Sequence, residues 1–309
     1  MRIAVLSDVH GNKHALEAVL TDIDTQQVES VYCLGDLVGY GAFPNEVIDL
    51  IRRRGIPTVM GNYDEGVGFD KDECGCAYTE PEMKRLGDLS LMWSREQVTA
   101  ENKAFLRTLH PQIRFEAEGK RFLLVHGSPR KINEYLYETR PDHSFERLAQ
   151  ASEADVLVFG HTHLPYTKEI AGVLFVNDGS AGKPKDGDVR ACYALLDVRP
   201  EGVTATFRRV AYDVAVAAQA GRASVLPPHF AELLETALGP LATRGRMGPG
   251  AASAHRSPPT ALEARRPGCP ASPWGPSPPP LARWPCKGYD PLVSISADTA
   301  GGGTLCAQR

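Results

Sequence analysis

Asp8 and His10 stand two residues apart, directly after the apolar run Ile3–Leu6. In extended backbone that spacing turns both side chains to one side, so a carboxylate and an imidazole can reach the same point. A hard oxygen and a borderline nitrogen offered together make half of a metal site. Taken alone, the pair reads more simply as a turn aspartate beside an incidental histidine. Four further apolar runs end in the same way, however. Val31–Leu34 leads into Gly35-Asp36, Ile56–Met60 into Gly61-Asn62, Phe122–Val125 into His126-Gly127, and Val156–Phe159 into Gly160-His161-Thr162-His163. In α/β folds, ligands bind beyond the carboxyl ends of the strands. The side chains of Asp8, His10, Asp36, Asn62, His126, His161 and His163 are therefore expected to converge. Two Asp, one Asn and four His, with no thiolate, form a mixed nitrogen and oxygen set too large for one ion. The set suits two cations sharing a bridging carboxylate. Glycines at 11, 35, 61, 127 and 160 allow sharp turns and close backbone approach.

The elements that carry these residues follow from the hydrophobic periodicity. Residues 1–62 read as two α/β units. Strand Ile3–Leu6 precedes a helix over Lys13–Asp24, with Leu16, Val19, Leu20 and Ile23 on its apolar face. Strand Val31–Leu34 precedes a helix over Pro44–Arg54 that gathers Val47, Ile48 and Ile51, and Ile56–Met60 reads as a third strand. Such alternation predicts a parallel sheet covered on its faces. Arg52-Arg53-Arg54 falls where cations offset a helix macrodipole.

Residues 66–112 read as a mostly helical insert, placed to act as a substrate lid or a subunit contact. Within it Thr99 can cap a helix ending near Leu109, before Pro111. Ile113–Ala117 and Phe122–Val125 form a hairpin, Ser144–Gln150 a short helix, and Asp155–Phe159 a buried strand. Tyr166–Ile170, Val173–Asn177, Ala191–Asp197 and Val203–Tyr212 read as strands of a second, more antiparallel sheet. Helices over Val214–Ala220 and His229–Leu238 close a domain spanning residues 1–239.

From Pro240 to Arg309 the chain changes character and holds 13 of its 24 prolines. This low-complexity tail is expected to be disordered, and no function is placed there. It carries 8 Lys and Arg against 3 Asp and Glu, so the remainder holds 26 against 35 and is acidic. An acidic body is a poor footprint for nucleic acid, whose phosphates call for basic surface. No run approaches the roughly 20 apolar residues of a membrane span, and no basic-then-apolar leader precedes the first strand. The expectation is a cytoplasmic protein with no membrane partner. The cysteines then read as reduced thiols, with Cys33 in the core and Cys74-Gly75-Cys76 in a plain loop.

In their order and spacing, Asp8-Val9-His10, Gly35-Asp36, Gly61-Asn62-Tyr63-Asp64, His126-Gly127-Ser128-Pro129 and Gly160-His161-Thr162-His163 resemble the calcineurin-like metallophosphoesterase superfamily. The likeness covers about residues 1–240, and segments 126–130 and 177–188 are most similar to its small prokaryotic phosphodiesterase branch. The resemblance implies an α/β fold, a four-layer α/β/β/α sandwich of two mixed sheets. It also implies one metal on Asp8, His10, Asp36 and His163, and a second on Asp36, Asn62, His126 and His161, with Asp36 bridging. Two departures stand out. Tyr63 occupies a position where many members carry a histidine acid. Gly39 and Tyr40 stand where they carry an Asp that orients that histidine and an Arg for phosphate.

The expected activity is metal-dependent hydrolysis of a small phosphorylated substrate, a phosphodiester or nucleotide-type phosphate. The cofactors are two divalent transition-metal ions, manganese first, with iron, zinc, cobalt or nickel also compatible with this ligand set. A bridging water, acidified by the cations, attacks phosphorus in line, and Asn62 and His126 help neutralise the non-bridging oxygens. A phenol is a poor acid at neutral pH, so substrates with good leaving groups are favoured. His14 reads as a surface helix residue or a substitute acid, Arg130 as a phosphate grip or a surface residue, and Asp178 as a cap for backbone amides. The alternatives are a phosphomonoesterase or protein phosphatase of the same fold, or a metal-binding, non-catalytic scaffold. A scaffold would be expected to have lost ligands, and none of the seven is lost.

Overall fold

The alternation of residues in the first strand sets the layering. Ile3 and Val5 of β1 (Arg2–Leu6) face one way and join Phe122, Leu124, Val156 and Val158 in a buried cluster. Ala4 and Leu6 face the other way and pack with Leu16, Val19 and Ile23 of α1 (Lys13–Thr25) and Val47, Ile48 and Ile51 of α2 (Pro44–Arg54). The second sheet repeats the device. In β4 (Lys120–Val125) and β5 (Val156–Phe159), Leu124 and Val158 face the first sheet, while Leu123, Val125, Leu157 and Phe159 pack on Phe145 and Leu148 of α6 (Asp142–Ser152). Strands buried on both faces sandwiched between helices give four layers, α/β/β/α. The computed structural model describes residues 1–78 and 80–238. Thr79 and everything after Leu238, including the tail expected to be disordered, lie outside the described residues.

Both sheets are mixed. The first runs β2-β1-β8-β9, with β2 (Ser30–Cys33) parallel to β1, and with β8 (Ala191–Arg199) and β9 (Gly202–Val210) antiparallel. The second runs β3-β4-β5-β7-β6, where β3 (Gln112–Ala117) and β6 (Tyr166–Ile170) form antiparallel edges around the parallel β4, β5 and β7 (Val173–Asn177). The β8–β9 hairpin, expected in the second sheet, instead lies beside β1 with Ala4 opposite Leu195. Nothing in its apolar run distinguishes the two sheets.

The stretch Ile56–Met60, expected to be a third strand, is not one. It makes only isolated bridges, Cys33 with Thr58 and Val59 with His110. Pro57 has no N–H to donate, and Gly61 turns the chain directly into α3 (Asn62–Gly68). The insert therefore begins as helix at Asn62, four residues before the expected start. It continues through α4 (Pro81–Gln97) and α5 (Ala100–Leu106), the latter capped by Thr99 Oγ1 and ending short of Leu109. Arg54 is not a solvated helix end. It is buried, and its Nη2 donates to both oxygens of Asp24 at 2.7 and 2.8 Å. Helices α7 (Val214–Ala223) and α8 (His229–Thr236) close the chain, with Phe230 and Leu233 packed on Leu86 and Trp93 of α4. No described helix is long and apolar enough to cross a membrane.

One carboxylate ties the loop after β2 to the turn after the Ile56–Met60 stretch. Asp64 is fully buried and accepts from the backbone N–H of Asp36 (2.8 Å), Leu37 (2.9 Å) and Gly61 (3.0 Å). Its bond to Gly61 also closes the first turn of α3, as an acidic residue at the third helical position does. Asp64→Ala leaves three buried donors unpaired, each costing about 1–3 kcal/mol. Urea unfolding of the variant is expected to show a loss of at least about 3 kcal/mol. A loss below about 1 kcal/mol would mean that this junction does not depend on the residue.

Candidate metal centre

The loop after β1 is zipped to the loop after β2 by backbone bonds from Asp8 N to Gly35 O, His10 N to Asp36 O and Gly11 N to Leu37 O, all 2.8–2.9 Å. These loops bend sharply. Asp8, His10, Asp36, His161 and His163 all have positive φ, between 48° and 65°. Non-glycine residues rarely adopt that region, although Asp and His are among those that tolerate it best. Gly35, at φ +90°, admits the crossing of the Gly61 backbone, since a Cβ there would lie 2.3 Å from Gly61 N.

All seven residues expected from the sequence are brought together, and each is at most 3% exposed. They form two groups. Asp8, His10 and His163 offer ligand atoms within 4.8 Å of one another, and so do Asp36, His126 and His161. Asn62 joins the second group, with Oδ1 3.0 Å from His126 Nε2. Asp36 lies between the groups: its Oδ2 is 3.7 Å from His10 Nε2 and 3.5 Å from His126 Nε2.

Backbone carbonyls set the imidazole tautomers. His10 Nδ1 donates to Val38 O (2.9 Å), His163 Nδ1 to Lys183 O (2.5 Å) and His126 Nδ1 to Leu34 O (2.8 Å). The Nε2 atoms of His10 and His163 then face each other at 3.4 Å as bare lone pairs. Asp8 Oδ1, 3.4 Å from His163 Nε2, has no hydrogen-bond partner. Buried acceptors aimed at one another with no donor between them are what a cation satisfies. The donor set therefore fits divalent metal.

Protonation follows the same logic. Burial drops His10 to about 3 against the pull of Asp36, and it also holds His161 and His163 well below the ordinary range. Burial would raise Asp36, but the imidazoles of His126, His10 and His161 outweigh it and hold the carboxyl below its usual range. Asp8 is raised by burial to about 6. On His126, burial is overcome by the charge and hydrogen bond of Asp36, which raise it to about 10. A proton on His126 thus stands where a cation would.

The supporting residues were less visible in the sequence. Ser7 Oγ lies 2.6 Å from Asp8 Oδ2 and 2.7 Å from Asp178 Oδ1. Burial and the charge of Asp8 push Asp178 up, so the neutral acid can donate to Ser7, and Ser7 to Asp8. Asp178 thus contacts the Ser7 hydroxyl rather than capping backbone amides. Asn62 Nδ2 donates to Cys74 O (3.1 Å) and Cys76 Sγ (3.2 Å), which orients its amide oxygen toward His126. The Cys74-Gly75-Cys76 loop, read as plain, therefore positions a candidate ligand, and both thiols are free.

Tyr63 is buried with its hydroxyl 3.1 Å from that of Tyr78, which in turn lies 2.9 Å from Tyr40 Oη. The two departures at 39 and 63 form one packing unit, because a Cβ at Gly39 would lie 2.5 Å from the Tyr63 ring. Tyr135 packs over His161 with ring centroids 4.0 Å apart. His14 packs edge-on against Phe43, and Arg130 is paired with Glu134 at the rim.

Known proteins resemble this chain in sequence and in fold. A family model described as the calcineurin-like phosphoesterase superfamily domain matches residues 1–201. An uncharacterized protein of Methanocaldococcus jannaschii is 33% identical over 229 residues, 69% of this chain and 88% of that one. Phosphodiesterase YfcE of Escherichia coli K12 is 26% identical over 202 residues, 64% of this chain and 88% of its own. Among solved structures, a metallophosphoesterase from Sphaerobacter thermophilus superposes with a TM-score of 0.62 at 29% identity, covering 77% of this chain and all (100%) of that one. A hypothetical protein from Pyrococcus horikoshii gives 0.67 at 23% identity, over 75% and 97%, and shows the shared fold.

Metal ligands bind in their deprotonated forms, so a cation must expel the protons held on His126 and Asp8. Manganese binding is expected to release about one proton per chain near pH 8, from His126, and closer to two near pH 5, as Asp8 protonates too. Affinity rises with pH toward the raised His126 value and falls below about 6. Calorimetry in buffers of different ionisation enthalpy measures the release. Uptake of manganese with no proton release would contradict these assignments.

Proposed function

The chain belongs to the calcineurin-like phosphoesterase superfamily, and from that premise we propose a metal-dependent phosphoric ester hydrolase acting on phosphodiesters or nucleotide-type phosphates. Asp8, His10, Asp36 and His163 would hold one divalent cation, and Asp36, Asn62, His126 and His161 a second. The observation that carries this reading is the single oxygen Asp36 Oδ2, within 3.7 Å of an imidazole nitrogen of each group. Manganese heads the candidate metals, since an all-nitrogen-and-oxygen set without thiolate suits it. When bound, such a pair supplies Lewis-acid polarisation of phosphate and a water acidic enough to act as nucleophile at neutral pH.

The residues around the site define what the protein adds. His126 and Asn62 are held by backbone or thiol partners rather than by solvent, and in this reading would lie beside the non-bridging phosphate oxygens. Such pre-set dipoles stabilise developing charge without reorganising. Tyr63 does not replace a histidine acid. Burial, with Tyr40 and Tyr78 beside it, pushes its phenol further above the ordinary range, and a proton so firmly held is not transferred at neutral pH. The leaving group must therefore depart with little help, which favours aryl or nucleotide-type esters over alkyl monoesters.

Hydrolysis of bis(p-nitrophenyl) phosphate beside p-nitrophenyl phosphate, by protein stripped of metal and reloaded with manganese, tests this reading. Diester turnover should exceed monoester turnover, vanish without metal, and fall at least about 1,000-fold in His161→Ala. Faster monoester turnover would mean that another group supplies the proton. No turnover of either ester by protein carrying two manganese ions would overturn the hydrolase reading.

A further inference from the structure

Lys183 has no ion-pair partner among the described residues and is only 7% exposed, and burial holds its amine well below the ordinary lysine range. Its backbone is fixed at both ends. Lys183 N donates to Ser180 Oγ at 2.8 Å, and Lys183 O accepts from Nδ1 of the candidate ligand His163. Ser180 Oγ in turn donates to Asp8 O. The side chain reaches across the face of Tyr40, with Nζ 4.3 Å from the ring centroid. Tyr40 packs edge-on against His10, centroids 4.9 Å apart. The amine is thus held beside the Asp8, His10 and His163 group, on an aromatic face instead of a carboxylate.

Lys185, two residues on and half-buried, makes no ion pair among the described residues either, and its charge bears on His10, His161 and His163. Burial disfavours the ammonium form of both lysines, and the negative charge of a ligand beside them offsets that cost. A cation–π contact offsets only part of that cost, about 0.5–2 kcal/mol. The two candidate-ligand carboxylates would not balance two divalent cations, and the lysines add no negative charge, so the assembled site attracts an anion.

We infer that Lys183, together with Lys185, binds a non-bridging phosphate oxygen of the substrate beside the Asp8, His10 and His163 group. The inference rests on the proposed hydrolase reading for the identity of the anion. Lys183 is then a substrate-binding residue that makes the site select phosphate esters over uncharged esters. Tyr40 fixes the reach of the lysine, and the carbonyl of the same residue fixes His163. Anion and metal thereby share one anchoring segment, Ser180–Lys185.

Calorimetric titration of inorganic phosphate into the manganese-loaded full chain tests this in Lys183→Gln, Lys183→Arg and Lys185→Gln, alongside kinetics with bis(p-nitrophenyl) phosphate. Every substitution leaves the Lys183 carbonyl on His163, so manganese content should be unchanged. Phosphate affinity should weaken by roughly 10- to 100-fold in Lys183→Gln, the worth of one charge-assisted hydrogen bond. KM should rise with it, Lys183→Arg should recover most of the loss, and Lys185→Gln should fall in between. Unchanged phosphate affinity and KM in Lys183→Gln would overturn the inference, as would loss of bound manganese in that variant, which would mark a merely structural lysine. Should the unmodified protein bind phosphate in a Lys183-dependent way yet hydrolyse neither ester, the hydrolase reading fails and the anion site stands.

Discussion

His10 Nε2 and His163 Nε2 meet at 3.4 Å in a buried space, with an unpartnered carboxylate oxygen of Asp8 3.4 Å from the latter. Both rings have already committed their protons to the carbonyls of Val38 and Lys183. Lone pairs crowded together without a donor repel, and in a medium of low dielectric nothing screens them. The neighbouring group relieves the same conflict by keeping a proton on His126, raised to about 10 by Asp36. Most of the surrounding architecture keeps these acceptors from moving apart. The carbonyls set the tautomers, Asp64 binds the loops from below, and Ser7 holds Asp8 while backed by Asp178. In each case an ordinary hydrogen bond is spent on orientation.

The backbone bears part of the same load. Five of the seven candidate ligands sit at positive φ, a conformation that persists only where the surroundings over-determine it. The four-layer sandwich provides that over-determination. Strands β1, β2 and β5 are buried on both faces, so their carboxyl ends cannot splay, and the loops leaving β1 and β2 are joined by three backbone bonds. Rigid scaffolding under strained loops is how a fold can hold a site more tightly than local preference would. Replacement of a histidine–aspartate acid pair by Tyr63 over Gly39 fits this view. The ring fills the space that glycine leaves, and its hydroxyl joins Tyr78 and Tyr40 rather than pointing a labile proton at the site.

The candidate ligands were legible in the sequence because chemistry and position coincided. Each follows a short apolar run, and five such run ends in one chain carry a signal that Asp-x-His alone does not. The sandwich was legible for a related reason, since the motif order carries the resemblance. What escaped depended on contacts distant in sequence. Lys183 reads as one of many lysines until Tyr40, 143 positions away, is found beneath it. Asp64 reads as the tail of a motif, whereas its role lies in amides 27 and 28 residues earlier. The β8–β9 hairpin has the same apolar pattern whichever sheet it joins. Ile56–Met60 has strand composition but contains Pro57, and a missing donor outweighed propensity. Periodicity reports burial; which partner does the burying is settled only in three dimensions.

In the proposed site Asp36 joins two cation positions into one, and metal stoichiometry tests that role most directly. Manganese content measured by elemental analysis after titration of the stripped protein should reach two ions per chain. In Asp36→Asn, which keeps the shape and removes the shared charge, it should fall to one or none. Retention of two tightly bound ions in Asp36→Asn, or saturation of the unmodified protein at a single ion, would contradict the account.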